Sequence, residues 1–453
     1  MSERALLDAA AAYAARYLER LPHRRVAPEA AALQALTTLD RPFPDAGRDA
    51  TAVLDELDRV GSPATVASAG GRYFGFVIGG SLPVTLAANW LAGAWDQDAG
   101  LSIAAPGAAK LEAVALRWLL EALALPAGCE GGFVTGATMA NFTGLAAARH
   151  ALLSRQGWDV ETRGLFEAPP LTVVVGDEVH VSLLKALALL GLGRERVVRV
   201  PTDDRGRMRL DRLPSLDSRS ILCVQAGNVN TGAFDPAPEL CAAAHTAGAW
   251  VHVDGAFGLW ALAAPERAHL AAGFEAADSW ALDAHKWLNV PYDSGIALCR
   301  DGAALRAAMA AHAAYLTPGG GREPDDYTPE LSRRARGVEI WAALSSLGRT
   351  GLAELVERCC RHAARFAAGL RAAGCEILND VALNQVLVSF GSDERTRRAI
   401  AAVQADGTCW CGGTVWQGRA AMRISVSSWR TTEEDVERSI KAIAAVGMQR
   451  PCR

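Results

Sequence analysis

Apolar and polar positions follow two rhythms along this chain. Up to about residue 125 the spacing is helical. Residues 3–20 place Leu6, Leu7, Tyr13, Tyr17 and Leu18 on one face of an amphipathic helix. Residues 22–48 carry several prolines and read as a linker with a short helix over 29–36, and residues 49–60 read as another helix. This arm has too little apolar surface for a core of its own, so it is expected to pack on the main body or on a second subunit. Leu82–Trp95 and Ala108–Leu125 then look helical, with Trp118 on the second helix and Glu112 and Arg117 on its solvent side. Between these stretches, Arg72–Pro83 is rich in aromatics and glycine. It reads either as a loop packed on the core or as the wall of a substrate pocket, with Tyr73, Phe74, Phe76 and Arg72 as its candidates.

From Gly131 the rhythm changes. Short apolar runs at Gly132–Thr135, Leu171–Val175, Val197–Val200, Ile221–Gln225, Trp250–Val253, Ser279–Leu282 and Gly295–Cys299 read as strands. Helical stretches intervene, among them Met139–Gln156, Ser182–Leu190 and Pro238–Ala247. Repeated alternation of this kind predicts an α/β fold with a mostly parallel sheet between helices. Ligands of such sheets bind beyond the carboxyl ends of the strands. Ala310–Pro329 is a long polar stretch containing Gly319, Gly320 and Gly321, and is expected to be a mobile functional loop. Helices over 339–347, 352–373 and 432–446 with strands over 375–378, 385–390 and 421–426 predict a smaller α+β domain. The division expected is 1–95 (helical arm and pocket segment), 96–310 (large domain), 311–337 (catalytic loop) and 338–453 (small domain).

The polar residues at the strand ends suggest the chemistry. Asp283-Ala284-His285-Lys286-Trp287 follows one apolar run, and His252-Val253-Asp254-Gly255-Ala256 follows another. A lysine alone at a strand end is usually a solvated surface group, and an aspartate there is often a turn or cap residue. As a pair they match a pyridoxal phosphate site, in which a lysine bonds the aldehyde and an aspartate keeps the pyridine nitrogen protonated. Gly136-Ala137-Thr138-Met139-Ala140-Asn141 lies between a strand and a helix. It reads either as a phosphate cradle at a helix N-terminus or as a tight turn with Thr138 as N-cap. Asp177-Glu178-Val179-His180 offers a histidine that can stack on a flat ring. Asn228-Val229-Asn230-Thr231-Gly232 offers a hydrogen-bonding turn.

Composition narrows the class further. The chain has 453 residues, 50 % apolar and 21 % charged, with a net charge of −4, so no basic field calls for nucleic acid. Ten cysteines are scattered without a zinc-ribbon spacing, so no metal site is expected. No secretory signal opens the chain. No uncharged apolar run reaches the roughly 18 residues of a membrane span; the run over 181–193 is short and contains Lys185. The expectation is a soluble protein of a reducing cytoplasm.

The motifs together resemble the pyridoxal phosphate-dependent group II amino-acid decarboxylases, the family of aromatic-amino-acid, histidine and glutamate decarboxylases. The residues that carry the resemblance are H-V-D-G-A-F-G at His252–Gly258, D-A-H-K-W at Asp283–Trp287 and F-D-P at Phe234–Pro236. It extends from about Tyr73 into the C-terminal domain. It implies fold type I, with a seven-stranded sheet, and a homodimer with its active site at the subunit interface. It further implies that Lys286 bonds the cofactor and Asp254 pairs with the ring nitrogen. His180 and Ala256 would flank the ring; Ala137, Thr138 and His285 would hold the phosphate; Asn228 would make a polar contact. Tyr315 would be the tyrosine of the mobile loop that returns a proton after carbon dioxide leaves. Many relatives have asparagine and proline where this chain has Asp283 and Ala284, and often a serine at Met139.

The activity so implied is decarboxylation of an L-amino acid to its amine. An aminotransferase or carbon–carbon lyase of the same fold is the alternative, and a non-catalytic homologue would have less use for Lys286 and Asp254.

Overall fold

The computed structural model describes residues 2–311, 313 and 321–447. Tyr315 lies outside the described residues, as do Gly319 and Gly320. The chain forms two compact units, one of residues 79–361 and 379–385 and the other of residues 1–78, 362–378 and 386–453. The divisions fall at 78 and 362, not at the expected 95 and 338. Backbone pairing explains the first: Phe74 N donates to Trp410 O at 2.8 Å and Ser425 N to Phe74 O at 2.9 Å. His362 Nε2 lies 3.1 Å from Thr431 O, which ties the chain after 361 to the same unit.

The larger unit is built on seven strands: β1 (Glu130–Val134), β2 (Thr172–Gly176), β3 (Val198–Val200), β4 (Ser220–Gln225), β5 (Trp250–Asp254), β6 (Ser279–Asp283) and β7 (Gly295–Cys299). Their order is β1-β7-β6-β5-β4-β2-β3. β6, β5, β4, β2 and β3 run parallel, and β7 is antiparallel to both β6 and β1. Every residue of β5, β6 and β7 is buried. Strands covered on both faces read as continuous apolar runs, which is why they were visible in the sequence. The helix Ala137–Ser154 packs along β5, β6 and β7.

One expectation for this unit fails. Glu112, placed on the solvent side of its helix, is almost fully buried. It pairs with the wholly buried Arg333 and, at 3.3 Å, with Arg322. Arg333 also donates to Ala99 O at 3.2 Å and to Phe133 O at 3.0 Å. The stretch after residue 320, whose one regular element is the 3-10 turn Pro324–Tyr327, brings Arg322 and Arg333 over that face of the helix, which helical periodicity cannot reveal.

The smaller unit carries an antiparallel-paired sheet in the order β10-β11-β9-β8, from β8 (Glu376–Ile377), β9 (Gln385–Ser389), β10 (Gly412–Trp416) and β11 (Arg419–Ser425). β10 was not foreseen. Its two opening glycines and half-exposed alternation carry no core signal, and it is held as the edge partner of β11. Gln417 and Gly418, both at positive φ, close the two-residue hairpin between them. The two C-terminal helices expected at 339–347 and 352–373 are both present within Gly337–Ala372, separated at Gly348, whose φ of 58° and ψ of −173° are not helical.

In the Arg72–Pro83 stretch, Tyr73 and Phe74 are core residues. Tyr73 stacks on Trp410 at 5.0 Å and Phe74 meets Phe366 edge-on at 4.9 Å. Arg72 is buried, with its guanidinium spent on the carbonyls of Thr408, Pro22 and Arg24. Phe76 alone of the three aromatics is exposed. Among the described residues no helix is long and apolar enough to cross a membrane.

Candidate active site

The carboxyl ends of β1, β5 and β6 converge on one side of the sheet. β1 stops at Val134, and the helix begins at Ala137 with Gly136 as N-cap. The helix therefore starts two residues before the expected Met139, and Thr138 is its second residue, not its cap. Its first turn presents backbone N–H groups that have no partner within the helix. One of them, Ala137 N–H, donates to Asp283 Oδ1 at 2.5 Å. Backbone here comes very close to backbone. A Cβ on Gly295 would overlap the main chain of Gly136, and a Cβ on Gly136 would lie 3.1 Å from His285 Cε1.

β6 runs directly into the short helix Ala284–Trp287, which carries Lys286. Several bonds fix that turn. Ser294 O accepts from Ala284 N at 3.0 Å and from His285 N at 3.1 Å. Asn289 Nδ2 donates to Trp287 O at 2.9 Å and to Lys286 O at 3.3 Å. A Cβ on Gly79 would overlap the Lys286 carbonyl, so a glycine is what lets the backbone at that position pass so close to the turn. Lys286 Nζ reaches Asp283 Oδ2 at 3.0 Å. His285 Nδ1 accepts from Ser294 N at 3.1 Å, its Nε2 lies 3.4 Å from Asp283 Oδ1, and Tyr292 stacks on its ring at 4.1 Å. Burial lowers the basicity of His285 against the pull of Asp283.

Asp254 ends β5, next to β6 in the sheet. Its carboxylate is buried and, among the described residues, accepts only from neutral donors: Asn141 Nδ2 at 3.4 Å and Ala256 N at 3.3 Å. Among the described residues no ion pair engages it. Ala256 is part-buried, and its carbonyl accepts from Asp283 N at 2.9 Å, which ties the segment after β5 to the end of β6. His180 is half-buried and caps the helix Val181–Leu189, its Nδ1 accepting from Ser182 N at 3.3 Å. Asn228 is buried, and its carbonyl oxygen accepts from the N–H groups of Asn230 and Thr231. The turn it was alternatively expected to make is therefore built by its own side chain.

The structure thus brings His285, Lys286, Asp254 and Ala256 to the adjacent ends of β5 and β6, and the hydrogen bond to Asp283 ties Ala137, after β1, to them. Sequence reasoning passed over Asp283 as a contact residue, the two glycines at 79 and 295, and the layer of Asn141, His252 and Ser279 behind Asp254. Strand alternation was the available signal for the last, since Trp250, His252 and Asp254 share one face of β5.

A model of the pyridoxal-dependent decarboxylase conserved domain matches residues 33–391 of this chain. The chain belongs to the pyridoxal-dependent decarboxylases. An aromatic-L-amino-acid decarboxylase of Bacillus atrophaeus is 27 % identical over 408 residues, 84 % of this chain and 83 % of that one. An L-2,4-diaminobutyrate decarboxylase of Rhizobium meliloti is 29 % identical over 435 residues, 89 % of this chain and 83 % of that one. In fold, this decarboxylase superposes on the crystal structure of Oryza sativa TDC with PLP and tryptamine with a TM-score of 0.90 at 23 % identity, over 98 % and 97 % of the two chains. The fold is type I, the cofactor is pyridoxal phosphate and the reaction is decarboxylation of an amino acid.

The residues present in this decarboxylase fit that cofactor. Asp254 is a buried carboxylate that no cation among the described residues meets, and burying such a charge is costly unless a cation meets it. A protonated ring nitrogen is such a cation. Lys286 carries an amine of the kind the aldehyde would need, and the glycine-walled helix start at Ala137 suits a phosphate.

Proposed function

We propose that this decarboxylase works through Lys286 and Asp254 as its two principal cofactor contacts, with Ala137, Thr138 and His285 toward the phosphate and His180 and Ala256 toward the ring. The observation that carries this is the pairing of β5 and β6, which delivers the cation-seeking Asp254 and the turn of Lys286 to neighbouring strand ends. Bound there, pyridoxal phosphate supplies an electron sink for the bond that breaks at the substrate α-carbon.

The protein's own groups do the rest. Asp254 holds a positive charge at the ring nitrogen through opposite-charge pairing. Asp283 fixes Lys286 Nζ by its 3.0 Å ion pair through Oδ2, while its Oδ1 accepts from Ala137 N–H at the helix start. His285, kept in place by Ser294 N–H and Tyr292, presents Nε2–H as a neutral donor. Carbon dioxide release across all proteinogenic amino acids, by cofactor-loaded wild type beside Lys286→Ala, tests this reading. Release by wild type alone is expected; equal release by Lys286→Ala would overturn the role of Lys286.

The relatives' names span aromatic and diamino acids, and the substrate proposed here is correspondingly an L-amino acid without narrower class. The protein is further proposed to be a homodimer with its interface beside the site. Supporting this, the helix Pro83–Trp95 leaves Val84, Leu91 and Trp95 exposed on one face. It starts from the Gly79 contact with Lys286, and Leu82 N donates to Asn289 O at 2.8 Å. Sedimentation of Leu91→Glu/Trp95→Glu should show a monomer where wild type shows a dimer; a double variant that still sediments as a dimer places the interface elsewhere. All nine described cysteines are buried free thiols, which supports a reducing, cytoplasmic setting. Activity recovered only outside the cytoplasm on fractionation would count against it.

A further inference from the structure

Behind Asp254 lies a row of polar side chains with no access to water. Asn141 and Ser279 are fully buried, as is His252, and Trp250 is nearly so. The row is continuous. Trp250 Nε1 is 2.9 Å from Ser279 Oγ, Ser279 Oγ is 2.8 Å from His252 Nδ1, His252 Nε2 is 2.8 Å from Asn141 Oδ1, and Asn141 Nδ2 is 3.4 Å from Asp254 Oδ2. Local structure explains the alignment. Trp250, His252 and Asp254 alternate onto one face of β5, Ser279 is the register partner of His252 on β6, and Asn141 stands on the helix that crosses them. Gly144, one turn along that helix, leaves room for the imidazole: a Cβ there would lie 2.8 Å from His252 Cε1.

Both ends of the row fix its direction. A carboxylate can only accept, so the Asn141 amide must turn its nitrogen to Asp254 and its oxygen to His252. His252 Nε2 must then carry the hydrogen. The imidazole is neutral, because full burial drives its pKa down to about 3. Its Nδ1 is therefore an acceptor, and Ser279 must donate its hydroxyl hydrogen to it. The indole N–H of Trp250 can only donate, and it gives to Ser279 Oγ. Every dipole in the row points its positive end toward Asp254, and each bond polarises the next.

We propose that Asn141, His252 and Ser279 are positioning residues that aim Asp254 at the cofactor ring nitrogen and strengthen its hold on the proton there. This rests on the reading of Asp254 given above. Stability alone does not explain the row. Replacing a buried polar set by apolar residues of the same shape is often neutral or stabilising. An apolar set would fill the space equally well but would leave the Asp254 carboxylate with one neutral donor fewer and no fixed orientation.

The test reads the cofactor directly, without turnover. Wild type, Asp254→Ala, Asn141→Leu, His252→Phe and Ser279→Ala are loaded with pyridoxal phosphate carrying ¹⁵N in the ring, and the ¹⁵N shift is measured at neutral pH. Wild type should show the protonated ring nitrogen and Asp254→Ala the unprotonated one. Asn141→Leu and His252→Phe should move toward the unprotonated shift, with kcat down roughly ten- to a hundredfold and KM within about twofold. Ser279→Ala should move less, and Ser279→Thr, which restores the hydroxyl, should return toward wild type. If Asp254→Ala keeps the wild-type shift, the reading of Asp254 falls and the relay with it. If Asp254→Ala moves but folded Asn141→Leu and His252→Phe do not, only the relay falls. Should the larger replacements fail to fold, Ser279→Ala decides by the same signal, because it deletes a single oxygen.

Discussion

Two aspartates end adjacent parallel strands, and both are buried, yet their surroundings differ. Asp283, at the end of β6, is compensated. It has a lysine ammonium at 3.0 Å, a histidine at 3.4 Å and a backbone N–H at 2.5 Å. Asp254, at the end of β5, has two long bonds from neutral donors and a polarised row behind it. Side-chain type and burial are thus nearly equal, and partner chemistry assigns the role. A carboxylate with its own cation organises the protein. One that no cation among the described residues meets would suit a cation that arrives with a ligand, as proposed for Asp254.

The largest effect should separate the two. Asp254→Asn should lower carbon dioxide release roughly 100- to 1,000-fold, since it would remove the charge proposed to oppose the ring cation. Asp283→Asn should cost far less. Equal losses in kcat would erase the distinction. Next comes the backbone that brings Asp283 to the helix start. Gly295→Ala forces a Cβ into Gly136, so it should cost about 1–3 kcal/mol in urea unfolding and weaken cofactor retention on dialysis. A variant with wild-type stability and retention would show that the close approach is not needed.

Acid sharpens the contrast on the Asp254 side. The folded His252 titrates near 3 and the unfolded chain near 6.5, so below pH 6.5 the unfolded state takes up a proton that the native state refuses. Stability is therefore full above pH 6.5 and is lost as pH falls toward 3, by about 1.4 kcal/mol per pH unit from this group. Between pH 6.5 and 5 wild type should lose about 2 kcal/mol more than His252→Phe in denaturant titrations. Parallel slopes would mean that the imidazole is protonated in the fold. The smallest effect concerns Asp283 and the phosphate. Asp283→Asn keeps an acceptor for Ala137 N–H but removes a negative charge beside the anion-favouring helix start. Pyridoxal phosphate should then bind up to about tenfold more tightly by equilibrium dialysis. Weaker binding would show that the Asp283–Lys286 pair aids the cofactor.

Much of this was legible beforehand because it is local. All seven strands of the large sheet announced themselves as apolar runs, and β7 matched to the residue. Lys286 and Asp254 stood out because each closes such a run in a polar cluster. What stayed hidden depended on what came to lie opposite. Glu112 looked like a solvent-facing residue until Arg333 and Arg322 covered it. Tyr73 and Phe74 were equally good pocket or core residues until Trp410 and Phe366 met them. β10 exists only as the hairpin partner of β11.

By itself, then, the sequence determined the strand and helix periods, the residues at the strand ends and the family to which they belong. Periodicity and motif are properties of neighbours along the chain, and burial on both faces of a sheet writes them plainly. Only the tertiary structure decided which aspartate has a cation and which does not. It also decided which asparagine turns toward Asp254 and which histidine is locked neutral in the core. Those are distances between residues as much as 146 positions apart, as for Ala137 and Asp283. A hydrogen bond or an ion pair depends on separation in space, which no pattern along the chain encodes.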